Sequence, residues 1–168
     1  MAYLTTLLKK EFVRKYFDCG KPSLNHYIHS QVSQDVKKKL AVCFVLLATD
    51  NQTVEGYYTL SNGSIPYDDV PESLRKKHPK SYDYIPVTLL GRLAIDLRIK
   101  GKGLGGKILV DALKRSLIVS EYELGSVAVI VDPLDKEAEK YYSHFGFIKL
   151  PGSGKMFLDM KTIKKLNL

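Results

Sequence analysis

The residues best suited to chemistry lie in one short segment, Arg98-Ile99-Lys100-Gly101-Lys102-Gly103-Leu104-Gly105-Gly106-Lys107. Glycines let backbone N–H groups turn inward without side-chain obstruction, and a helix starting near Leu104 adds the positive end of its dipole. Hydrogen bonds to a charged acceptor contribute roughly 1.5–3 kcal/mol each, so several together hold a pyrophosphate. The cations Arg98, Lys100, Lys102 and Lys107 add to that field. Two other patterns overlap the segment. Gly101 to Lys107 has P-loop spacing, but Ile108 stands where a Ser or Thr should hold Mg²⁺. Gly101, Gly103 and Gly106 fit a dinucleotide fingerprint, yet several strands precede it, its acidic partner Asp132 comes late, and cations crowd the first glycine. A pyrophosphate cradle uses every residue of the segment.

Such a cradle needs a strand to deliver it and a helix to close it. Val87 to Ile95 is apolar and strand-like. The helix runs from about Leu104 to Ser120, with Ile108, Leu109, Ala112, Leu113 and Leu117 as its buried face. Val127 to Val131 reads as a short buried strand, and Asp135 opens another helix that stops at Gly146. Phe147 to Leu150 and Met156 to Met160 form a closing hairpin. Upstream, Pro22-Ser23 starts a helix with Ser23 as N-cap and Leu24, Tyr27, Ile28, Val32 and Val36 at helical spacing. Ala41 to Thr49 and Val54 to Leu60 make a hairpin around Asp50-Asn51-Gln52. Ser64 to Ser81, with three prolines, is loop with one short helix. The order predicts a mixed α/β (α+β) sheet with helices on both faces.

The 168 residues fit one domain, 1–168. No apolar run is long enough for a transmembrane helix, and the first residues lack a leader pattern, so a cytoplasmic protein is expected. Cys19 and Cys43 show no metal or catalytic spacing with His26, His29, His78 or His144; buried or half-buried thiols and no metal are expected. The net charge is +8, with bunches at Lys37-Lys38-Lys39 and Arg75-Lys76-Lys77. These are either solvated faces or a field that gathers a polyanion such as RNA or an acidic protein.

Arg98-x-x-Gly101-x-Gly103 resembles the signature of the GNAT superfamily of acetyl-CoA-dependent N-acetyltransferases. The preceding strand, the following helix and the closing Tyr141-Tyr142-Ser143-His144-Phe145-Gly146-Phe147 extend the likeness from about Val87 to Leu150. Across nearly the whole chain it resembles the GNAT toxins of bacterial toxin–antitoxin pairs. The residues that carry this are Phe17-Asp18-Cys19-Gly20, Leu24-Asn25-His26-Tyr27-Ile28, Gly56-Tyr57-Tyr58-Thr59-Leu60-Ser61 and Leu89-Leu90-Gly91-Arg92-Leu93-Ala94-Ile95-Asp96.

The resemblance implies a GNAT fold of about six to seven strands, splayed at the acetyl-CoA site. It implies acetylation of the α-amino group of aminoacyl-tRNA, a block of translation, a small DNA-binding antitoxin and a homodimer. Pantetheine would lie along the backbone of Leu93, Ala94 and Ile95, and pyrophosphate on Arg98 and the stretch from Lys100 to Lys107. Tyr142 would give the departing CoA thiolate its proton; Tyr141 is its rival, although Ala138, Tyr141 and Phe145 are spaced as a core face. An α-amine, with a pKa of about 7.7–8.0, needs only a weak base, and Asp96 is the one candidate. Lys37, Lys38, Arg75, Lys76, Lys77 and Arg92 are candidate tRNA contacts, Arg92 being equally a buried ion-pair member. A GNAT enzyme for a small or protein amine, or a non-catalytic CoA- or RNA-binding module, stays open at this point.

Overall fold

The computed structural model describes Ala2–Leu168. Strand β1 (Thr6–Leu7) precedes a helical stretch in which α1 (Pro22–His26) passes through a π-helical turn (Tyr27–Gln31) into α2 (Val32–Lys37). Strands β2 (Val42–Leu47) and β3 (Val54–Pro66) follow, then a 3₁₀ turn (Tyr67–Asp69) and α3 (Glu72–Arg75). The long strand β4 (Tyr84–Ile95) leads through a 3₁₀ turn (Leu97–Ile99) to α4 (Leu104–Tyr122). The chain closes with β5 (Ala128–Val131), α5 (Lys136–His144), β6 (Ile148–Lys149), β7 (Met156–Asp159) and α6 (Met160–Lys165). The seven strands take the order β1-β2-β3-β4-β5-β7-β6 in a mixed sheet, with β4 and β5 parallel.

The chain divides into two compact units. One comprises the chain up to Ser61 and Leu90–Ala112. Its larger core packs Phe17, Tyr27, Ile28, Val32, Cys43, Val45, Val54, Tyr57 and Ala94. A smaller cluster sets Leu46 and Ile99 against Ile108, which seats the first turns of α4. Thr5 Oγ1, Tyr58 Oη and the Leu4 amide all donate to the buried Asp111 carboxylate of α4, at 2.5, 2.8 and 2.6 Å. The other unit comprises Asn62–Leu89 and Leu113–Leu168. Its core joins Ile65, Val70, Ile85, Val87, Ala128, Ile130, Leu150 and Phe157. There the Asp135 carboxylate caps α5 through the Ala138 amide at 2.8 Å.

Three expectations change. The first helix starts at Pro22, not behind a Ser23 cap: Lys21 is the N-cap, and its side chain does not cap the helix. Proline fits that first position because its missing N–H would be unpaired there anyway. Strand β3 runs on to Pro66 instead of ending near Leu60. The π turn adds a residue to the helical repeat, so Tyr27, Ile28 and Val32 are buried while Val36 is exposed. Among the described residues, no helix is long and apolar enough to cross a membrane.

Candidate active site

Strand β4 ends at Ile95, and Asp96 then caps the 3₁₀ turn by accepting from the Arg98 amide at 2.8 Å. The chain reaches α4 through Gly101 and Gly103, at φ +84° and +74°. An L side chain is disfavoured in that region by its own backbone, and among the described residues no atom lies within 4 Å of where a Cβ would stand at either position. Both glycines therefore serve an open turn, not tight packing. Among the described residues, no backbone acceptor bonds the amides of Leu104, Gly105 or Gly106. These donors sit at the N-terminus of a 19-residue helix, with the exposed Lys100, Lys102 and Lys107 around them. Such an arrangement fits a pyrophosphate.

Arg98 plays a different part from the other three cations. Its Nε and Nη2 grip the two Asp96 oxygens at 2.8 and 2.9 Å, so its charge is largely answered within the protein. The Asp96 carboxylate, 1% exposed, also accepts from the Asp18 amide at 3.1 Å. Burial alone would raise its pKa, but the hydrogen bonds from Arg98 and Asp18 outweigh burial and hold it below the usual carboxylate range. Asp96 is therefore a committed acceptor, not a free base. It also fastens the loop before α1. The Asp18 carbonyl accepts from the Leu97 amide, while its carboxylate accepts from the Gly20 amide and Asn25 Nδ2.

Farther back on β4, Arg92 lies half-buried with its guanidinium carbon 3.6 Å from the centroid of the Tyr27 ring. No carboxylate pairs with it among the described residues, so the ion-pair expectation does not hold. Tyr27 stacks on Tyr57 at 6.1 Å, and Phe17 meets Tyr57 edge-on at 5.5 Å. Of the other expected tRNA contacts, Lys37, Lys38, Lys76 and Lys77 are exposed. Arg75 is half-buried, and its Nε donates to the Val70 carbonyl at 3.3 Å, which ties it to its own loop.

In the second unit, Tyr142 is the buried residue of α5, at 8% exposure, where Ala138, Tyr141 and Phe145 were expected to form the core face. Those three are half-buried. Tyr142 packs edge-on against Phe147 and Tyr141, and burial followed by the neighbouring Tyr141 raises its pKa well above the ordinary tyrosine value. The Tyr141 hydroxyl is fully enclosed with no hydrogen-bond partner among the described residues, and burial pushes its pKa up to about 12. Cys43 is buried, with its thiol pushed up to about 12 by burial, and Cys19 is half-buried, as expected of inert thiols.

The roles of Asp96, Asp18 and Tyr27 escaped the sequence reading. Asn25 seven residues after Asp18 was a visible signal for a side-chain-stapled loop. The support Tyr27 gives Arg92 left none, because it joins residues 65 apart.

Fold and cradle together define the class: a GNAT-type acetyltransferase that uses acetyl-CoA. No family model matches the chain. Among curated proteins it is 36% identical to the tRNA-acetylating toxin of Mycobacterium tuberculosis (strain ATCC 25618 / H37Rv), over 78% of this chain and 75% of that one. It is 30% identical to the probable toxin TacT of Sinorhizobium fredii (strain NBRC 101917 / NGR234), over 91% and 88%. Among solved structures, AtaT complexed with acetyl-methionyl-tRNAfMet superposes with a TM-score of 0.88 at 28% identity, covering 98% of each chain. AtaTR bound with AcCoA gives 0.84 at 29% identity, over 98% and 97%. A mutant AtaT toxin bound to the C-terminus of the antitoxin AtaR gives 0.81 at 26%, over 96% of each. The chain belongs to the GNAT toxins of toxin–antitoxin systems.

Proposed function

We propose that this chain transfers the acetyl group of acetyl-CoA to the α-amino group of an aminoacyl-tRNA, and so withdraws charged tRNA from translation in the cytoplasm. The observation that carries the reading is the open N-terminus of α4, held in a chain whose curated relative is a tRNA-acetylating toxin. The amides from Lys100 to Gly106, with Lys100, Lys102 and Lys107, bind the pyrophosphate, and the Leu93–Ile95 backbone pairs with the pantetheine arm. Arg98 contributes mainly by fixing the turn through Asp96. Residues 1–168 act as one catalytic domain and assemble as a homodimer. A small DNA-binding antitoxin restrains the toxin.

The reaction is direct attack of a neutral amine on the thioester: the C–N bond forms, the C–S bond breaks and CoA leaves as the thiolate. The proton shed by the nitrogen passes through solvent to that thiolate. Holding the two reactants together supplies up to about 7–11 kcal/mol of the barrier. With Asp96 committed to Arg98 and Asp18, β4 and its turn offer no free carboxylate to an amine. That favours a nucleophile already partly neutral, as an α-amine is. Tyr142 serves the leaving group. Burial keeps its hydroxyl protonated, so it stabilises the departing thiolate by donating a hydrogen bond, not by full ionisation. Lys37, Lys38, Lys76 and Lys77 add phosphate contacts, and Arg75 shapes its loop.

The test is transfer of labelled acetyl from acetyl-CoA to a mixed pool of charged tRNA, with uncharged tRNA as control. Label on charged tRNA alone is expected. No label, from protein that binds acetyl-CoA, moves the reading to a small or protein amine.

A further inference from the structure

The aromatic pair behind β4 has a feature that packing alone does not require. Tyr27, 1% exposed, presents its ring face to the Arg92 guanidinium at 3.6 Å, and Tyr57 backs it from within the core. A ring under the flat face of a guanidinium holds its plane and leaves its five N–H donors to point sideways. Among the described residues, none of those donors meets a carboxylate. A second arginine closes on the same turn: Arg14 Nη1 donates to the Ile28 carbonyl at 3.2 Å and to Ser33 Oγ at 3.1 Å. Both guanidinium charges are felt at Cys43. The nearby acid is Asp35, whose field acts on the Tyr27 hydroxyl. A half-buried cation without an acceptor is costly unless a ligand or water completes it.

We propose that Tyr27 is a positioning residue that holds Arg92 flat and pre-oriented to grip a phosphate of the RNA substrate. The inference rests on the aminoacyl-tRNA reading and names how one of its contacts is built. A planar guanidinium matches a phosphate with two parallel hydrogen bonds, so fixing its plane in advance removes the ordering cost of binding. Tyr27 opens the π turn and lies under Arg92, while Ile28 and Val32 beside it fill the core.

The test is steady-state kinetics with charged tRNA at several salt concentrations. Arg92→Gln is expected to raise KM for aminoacyl-tRNA about tenfold and to flatten the logarithmic salt slope by about 0.7–0.9, one phosphate contact. Tyr27→Leu should raise the same KM by several-fold, and Tyr27→Phe, which keeps the ring face, should rescue it. The KM for acetyl-CoA and kcat should stay close to wild type in all three. An unchanged tRNA KM or salt slope in Arg92→Gln, a raised acetyl-CoA KM, or no rescue by Tyr27→Phe overturns the proposal. Arg92 is half-buried, so its variant remains informative even if Tyr27→Leu fails to fold. If wild-type protein does not label charged tRNA at all, the parent reading has failed instead.

Discussion

Two arginines six residues apart on the same stretch of chain have opposite fates. Arg98, after the end of β4, is gripped at two nitrogens by Asp96 and helps fasten the loop at Asp18. Arg92, within β4, rests on an aromatic face and has no carboxylate partner among the described residues. A ring supports a cation without consuming its donors, whereas a carboxylate consumes them. The first arrangement builds architecture, and the second leaves a charge that no carboxylate answers among the described residues. Arg98 belongs to the motif that carries the family resemblance, yet its guanidinium is spent on the protein itself.

Predictions follow from keeping these tasks apart. The largest effect should come from Tyr142→Phe, which removes the hydroxyl proposed to serve the leaving group and leaves both arginines in place. We expect kcat to fall about 100-fold with KM for tRNA held, measured by single-turnover acetylation. Wild-type activity should rise through about pH 8 as the α-amine loses its proton, while burial keeps the Tyr142 hydroxyl protonated across that range. It should show no loss from tyrosine ionisation at about pH 10.

Next in size is Asp96→Asn, which breaks the architectural arginine pair. It should lower stability by about 2–3 kcal/mol at pH 7, read from urea unfolding. The folded pKa of Asp96 lies below its unfolded value, so the ionised group stabilises the fold above about pH 4, and that stabilisation is lost as pH falls through the folded pKa. The gap between wild type and variant should therefore shrink in acid. A gap that persists unchanged at low pH would mean the ion pair is not its source.

The smallest of the three is Gly101→Val. Its backbone sits at φ +84° in open space, so the cost should be about 1–2 kcal/mol of backbone strain without a clash. Calorimetric titration should show weaker acetyl-CoA binding and unchanged tRNA binding. Weaker tRNA binding would blur the separation between the cradle and Arg92.

What was legible in the sequence follows the range of the interactions. Strand β4 and helix α4 were readable because apolar runs and helical periodicity are local, and the cradle because glycines and cations sit side by side. The far end of β3 was missed, since Gly63 and Pro66 look like loop residues although Ile65 is buried in a core. Tyr142 was named for chemistry while Tyr141 was assigned to packing, but Tyr142 is the more buried of the two. Helical spacing alone does not resolve two adjacent tyrosines on a nine-residue helix. The commitment of Asp96 and the freedom of Arg92 depend on partners tens of residues away, at Asp18 and Tyr27, and no local pattern encodes those.

In the proposed reaction the acetyl group ends on the α-amine of the amino acid carried by tRNA. The direct measurement is mass spectrometry of the amino acid released by mild base after incubation of charged tRNA with acetyl-CoA and the protein. An N-acetylated amino acid is expected, absent when the Tyr142→Phe protein is used over the same short time. An unmodified amino acid, with acetyl found on another amine, would contradict it.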